Sequence, residues 1–105
     1  SMSDFKCHNT NKVALLQSSL KEASLAEDLI YYKALANEIR LKIMHLLSVE
    51  SCCVCDLAHS LELPVATISQ HLKFLKSALL VRSSKKGKFI EYELVVNKPS
   101  VIYEE

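Results

Sequence analysis

Three of the chain's four cysteines, Cys52, Cys53 and Cys55, fall within four positions, immediately ahead of Asp56. Thiolates are soft donors, so such a cluster selects soft metal ions over Mg(II) or Ca(II), or else reacts with oxidants. A third reading is that these are small apolar side chains filling a core. A disulfide framework fits poorly, because Cys52 and Cys53 are adjacent and a bridge between neighbours strains its own geometry. Residues two apart on a regular helix diverge by roughly 200°, so Cys53 and Cys55 share an ion only where the helix begins. A helix start also favours thiolate over thiol. Cys52 and Cys55 would share a face if the helix began earlier, which makes Cys52 a reserve ligand. The histidines show no mutual ligand spacing. One glycine leaves no phosphate-cradling loop, and His59 lacks the partners of a Cys–His catalytic pair, so no enzyme is expected.

The elements around this cluster follow from apolar spacing. Residues 12–23 place Val13, Leu16 and Leu20 on one helical face. A second stripe runs Leu25, Leu29, Tyr32 and Ala36, with Ser24 as its N-cap, and a third runs Ile39, Ile43, Leu46 and Leu47 after Asn37. These stripes are assigned to core and dimer surface. Ser51 is read as the N-cap of a short helix with Val54, Leu57, Ala58 and Leu61 inward. Pro64 is placed in the first turn of the next helix, whose apolar positions are Val65, Ile68, Leu72, Leu75 and Leu79. That helix turns Thr67, Gln70, Lys73 and Ser77 outward, with Ser69 and His71 on its flanks. Two short helices joined by a tight turn, the second with a polar outer face, form a helix–turn–helix pattern. Alternating runs on either side of Gly87 then predict a β-hairpin, a wing at about residues 81–95.

Charge is distributed unevenly. Between Pro64 and Lys98 stand Lys73, Lys76, Arg82, Lys85, Lys86, Lys88 and Lys98 against Glu91 and Glu93, a local excess of five positive charges in a chain of net charge +1. A basic half predicts a polyanion partner. The expected DNA contacts are Thr67, Ser69, Gln70, His71 and Lys73 on the helix, with Lys85, Lys86 and Lys88 on the wing. The fold class is mainly α with a small β-hairpin wing. Residues 1–11 read as a flexible N-terminal arm and residues 12–105 as one winged helix–turn–helix domain. No secretory segment or membrane-length apolar run is evident, so a soluble, cytoplasmic protein with no membrane partner is expected.

Three runs carry a family resemblance. Leu35-Ala36-Asn37-Glu38-Ile39-Arg40-Leu41, Cys53-Val54-Cys55-Asp56-Leu57 and Ser69-Gln70-His71-Leu72-Lys73-Phe74-Leu75 occur in the order seen in the ArsR/SmtB metalloregulators, which the chain resembles over roughly residues 25–95. The resemblance implies a homodimeric repressor that leaves double-stranded operator DNA when a metal or metalloid binds. It implies Cys53 and Cys55 as thiolate ligands, Asp56 as a reserve carboxylate, and Cys7 from the arm as a further donor, for Cd(II), Pb(II), Zn(II) or As(III). The chain departs from the family at Ala58, where arsenite-responsive members often have a third cysteine, and at Leu79, where glycine is usual. The C-terminal zinc site of other members looks absent, since no histidine follows His71. Two alternatives stand beside this reading: a redox- or sulfide-sensing repressor on the same fold, and a winged-helix module that binds protein rather than DNA.

Overall fold

Helix boundaries in this chain are set by short side chains at the starts and by left-handed residues at two of the ends. The computed structural model describes residues 7–95. It contains α1 (Thr10–Glu22), α2 (Leu25–Leu35), α3 (Glu38–Val49), β1 (Cys52–Cys53), α4 (Val54–Leu61), α5 (Val65–Ser77), β2 (Val81–Lys86) and β3 (Phe89–Leu94). Asn9 and Asn37 cap α1 and α3, their Oδ1 atoms accepting the N–H groups of Lys12 and Arg40 at 3.0 Å. Ser24 precedes α2 as expected but makes no capping bond. The C-terminal tail from residue 96 and residues 1–6 of the expected arm lie outside the described residues.

Two starts differ from the sequence reading. The cap of α4 is Cys53, not Ser51, because Cys52 and Cys53 form a strand before the helix begins. Pro64 is the cap of α5 rather than its first turn, with ψ of 145° still extended.

The core gathers Ala34, Ile43, Leu47, Leu57, Ala58, Ile68, Leu72, Leu75, Ala78, Leu80 and Val81. Each interior face is one of the stripes expected on α3, α4 and α5. α1 buries no residue of its own, and Leu16 and Leu20 lie open. Leu25, Leu29, Ile30 and Tyr32 are likewise exposed, so the first two stripes form an uncovered apolar face rather than core.

The antiparallel sheet has the order β1-β3-β2. The wing is the hairpin β2–β3, closed by Gly87-Lys88 between the pair Lys86↔Phe89. Gly87 has φ of 61°, the conformation a two-residue hairpin turn requires at its first position. β1 adds the strand that sequence reading missed, pairing Cys52 with Tyr92 and Cys53 with Glu91.

Leu79 is not the last apolar position of α5. It stands beyond the helix at φ 60° and is 67% exposed. The Leu79 N–H donates to Lys76 O and the Leu80 N–H to Leu75 O, both at 3.0 Å, while Leu75 and Leu80 meet in the core. This is the Schellman ending, which glycine fills without strain. Leu79→Gly is expected to stabilise the fold by about 1 kcal/mol, raising the thermal midpoint by several degrees. Leu79→Ala, which keeps the Cβ, gains nothing. Equal melting of both variants in calorimetry would refute the strain.

Candidate metal centre and nucleic-acid interface

The outer face of α5 is polar because its inner face is fixed by Ile68, Leu72 and Leu75. Ser69, Gln70 and Lys73 are exposed and line one open surface with Phe74 and Ser77. Thr67 is half-buried. His71 is also half-buried, and its Nδ1 lies 3.2 Å from Arg40 Nη1 on α3. Phe74 is the residue of this face that sequence reading had assigned no role. Its position four after Gln70 was the available signal.

Lys85, Lys86 and Lys88 all project from the wing into solvent. Lys76 at the end of α5 donates to Ser83 Oγ at 2.9 Å, and Arg82 pairs with Glu93 across the hairpin at 2.6 Å. Both contacts are surface ones, worth at most about 1 kcal/mol each. They fasten the wing to the helix and to itself, while the three tip lysines enter no ion pair among the described residues. Helix face and wing together offer side chains able to contact base edges and phosphates.

The cysteines occupy the passage from β1 into α4. Paired residues on neighbouring strands share a face, so Cys52 lies on the side of Tyr92, and both pack against the core. Cys53 lies on the opposite side with Glu91. The Cys52 thiol donates to Glu50 O at 3.2 Å. Burial, followed by the negative charges of Asp56, Glu50, Cys53 and Glu91, pushes that thiol up, so Cys52 keeps its proton. Cys52 thus packs against the core through its side chain while remaining half-buried, as Cys53 is.

Cys53 has extended backbone, φ −83° and ψ 168°, and Val54 is the first helical residue. The condition for Cys53 and Cys55 to share an ion, a helix starting between them, is thus met. Cys53 and Asp56 form a capping box in which Asp56 Oδ2 accepts the Cys53 N–H at 3.0 Å. That backbone bond first, then the Cys53 side chain and the His59 charge, hold the Asp56 carboxyl below the usual range, against slight desolvation. Asp56 thus engages the cap through Oδ2. Among the described residues no three His, Cys, Asp or Glu side chains converge on one point. Cys7 is exposed ahead of α1 and does not join Cys53 and Cys55 within this chain. Within one protomer, then, Cys53 and Cys55 flank the start of α4, and among the described residues they belong to no three-donor group.

A helix–turn–helix followed by a basic hairpin defines a winged helix–turn–helix protein of the DNA-binding type. The chain belongs to the ArsR family of bacterial regulatory proteins, whose model matches residues 37–83. It is 37% identical over 90 residues to the cadmium resistance transcriptional regulatory protein CadC of Listeria innocua serovar 6a, covering 85% of this chain and 76% of that relative. Reduced HlyU from Vibrio cholerae has a similar structure, with a TM-score of 0.66 and 34% identity over 76% of this chain and 82% of that one. A homodimeric winged helix–turn–helix domain of a possible ArsR-family regulator from Mycobacterium bovis superposes with a TM-score of 0.63. It is 29% identical and covers 86% of this chain and 75% of that one. No helix among the described residues is long and apolar enough to cross a membrane.

His71 gives the site a pH dependence. Burial first, and then the Arg40 guanidinium, push its imidazole below the ordinary value of 6.5. The unfolded chain therefore takes up this proton before the folded one does, so folding weakens as pH falls through 6.5. The loss levels off once the folded imidazole is protonated too. The thermal midpoint is expected to drop between pH 7.5 and pH 5.5, and His71→Gln to flatten that drop. An identical pH profile for the two proteins would show that His71 is not the group responsible.

Proposed function

We propose that this chain is a homodimeric repressor that holds double-stranded operator DNA in the cytoplasm and releases it when a soft metal ion binds its thiolates. The observation that carries the reading is the position of Cys53 and Cys55 across the first turn of α4, at the entrance to the helix–turn–helix. A bound soft ion would supply a preference for thiolates and a fixed angle between them. Cys53 and Cys55 are the donors from the domain, with Cys7 from the N-terminal arm the further one. Cd(II) is the first ion to try, given the cadmium-resistance relative; Pb(II), Zn(II) and As(III) follow. The uncovered apolar face of α1 and α2, and the homodimeric state of a similar structure, support a dimer.

Cys53 belongs to two structures at once. Its backbone pairs with Glu91 of the wing strand, and its N–H is held by Asp56 at the start of α4. A displacement of Cys53 therefore disturbs the hairpin and the helix–turn–helix together, which are the elements with DNA-facing side chains. Two dimer-related reading helices must match the spacing of two half-sites, so a small reorientation suffices to lose the operator.

A second reading keeps the repressor and makes the thiols a redox or sulfide sensor. It is favoured by the clustering of three thiols at the passage from β1 into α4 and by the similarity to a structure described as reduced HlyU.

Titration of the reduced protein with Cd(II) is expected to raise a thiolate-to-metal charge-transfer band that Cys53→Ser and Cys55→Ser abolish, while both variants still bind DNA without metal. A flat titration of the unaltered protein with Cd(II) and with arsenite would remove the metal reading and leave the redox one. Replacing Lys85, Lys86 and Lys88 by alanine should lower the slope of log affinity against log salt by about 0.9 for each phosphate no longer neutralised. An unchanged slope would mean the wing does not touch the backbone of DNA.

A further inference from the structure

Arg40 sits in the first turn of α3 but directs its side chain to two other helices. Its Nε donates to Ala34 O at 2.8 Å and its Nη2 to Lys33 O at 3.1 Å. These are carbonyls from the last turn of α2, where acceptors outnumber the backbone donors left to meet them, and Lys33 O also takes the Ala36 N–H at 3.3 Å. Its Nη1 meets His71 Nδ1 at 3.2 Å, and its Cζ lies 4.1 Å from the centre of the Phe74 ring. His71 and Phe74 are three apart on α5 and so share a side of it. One planar group thus spans the end of α2 and the flank of the helix that faces DNA.

The contact with His71 has a chemical consequence. A guanidinium carries only donors and stays protonated, so Nδ1 must accept. His71 is thereby held as the neutral Nε2–H tautomer, and Nε2–H is the donor that remains to it. Phe74 is constrained as well, with one side against Arg40 and the rest of its ring in the open surface formed with Ser69, Gln70, Lys73 and Ser77.

We propose that Arg40 is the positioning residue for DNA recognition: it straps α5 to the end of α2 through His71 and Phe74 and so sets the pose in which the reading helix is presented. This rests on the DNA-binding reading above. Lysine cannot replace it, since a single ammonium on a flexible stem does not span four partners or stack flat on a ring. Because α2 also carries part of the uncovered apolar face, the strap runs from the association side of the molecule to its reading side.

The test uses the full chain and two probes, a duplex that the unaltered protein enriches from a random pool and a scrambled duplex of the same length. Arg40→Lys is expected to lose about tenfold or more in affinity for the enriched duplex. Its affinity for the scrambled duplex, its salt slope and its circular dichroism should stay unchanged. His71→Leu should lose a similar factor, the double variant no more than the worse single one, and His71→Gln, which keeps an acceptor for Arg40, should recover affinity. Long-range proton–nitrogen NMR should show the Nε2–H tautomer of His71 in the unaltered protein and its loss in Arg40→Lys. Losses that multiply in the double variant would mean that the two residues act independently and would overturn the strap. So would an Nδ1–H tautomer, or undiminished selectivity in Arg40→Lys. A wild-type chain that enriches no duplex would instead overturn the DNA-binding reading itself, a result distinct from a selective wild type matched by its Arg40 variant.

Discussion

Six side chains that water scarcely reaches, Ile43, Leu57, Ile68, Leu72, Leu75 and Val81, hold the molecule together, and they come from α3, α4, α5 and β2. Burying a side chain of this kind contributes about 1.5–3 kcal/mol, which must offset the entropy of ordering the backbone around it. With so small an interior, no single element supplies a core of its own. The angle between α4 and α5 and the attachment of the wing are therefore settled together, by one packing problem. The polar outer face of α5 is what remains once its three inward residues are spent. α1 takes no part in this interior, and its apolar stripe stays open for another surface.

The thiols are placed by the same economy. Cys52 is turned inward against the core and stays protonated, while Cys53 ends the strand and begins the helix. Three neighbouring cysteines that look equivalent in sequence are thus set apart by the pleat of a two-residue strand, Cys52 on the side of Tyr92 and Cys53 on the side of Glu91, with Cys55 exposed on the helix. Asp56 stabilises this division by holding the Cys53 N–H.

Much of this was legible in the sequence, where local spacing carries the information. The inward stripes of α3 and α4, the outward polar row of α5 and the hairpin around Gly87 all lie in periodicities of a few residues. What escaped is what depends on distant partners. β1 exists only because β3, some forty residues later, offers it an edge, so nothing near Ser51 revealed that the cap would move to Cys53. Leu79 continued the apolar rhythm of α5 perfectly well, but the chain has to turn there to bring Leu80 and Val81 into the core. His71 looked like a flank residue of the DNA face, and its attachment to Arg40 follows from how α3 and α5 cross. The stripes of α1 and α2 had the spacing of core helices, yet spacing cannot say whether the covering surface belongs to the same chain.

The pairing of Cys52 and Cys53 with Tyr92 and Glu91 also has a consequence for how the chain is assembled. That short ladder closes a ring containing the whole of α4, α5 and β2. Closing such a loop costs entropy that only the completed interior offsets, so the geometry of Cys52 and Cys53 depends on the wing strand they pair with. The thiol-bearing turn and the wing are in that sense one folding unit. A shortened chain ending after α5 would keep all three clustered cysteines in its sequence but lose β3, the strand against which Cys52 and Cys53 are held.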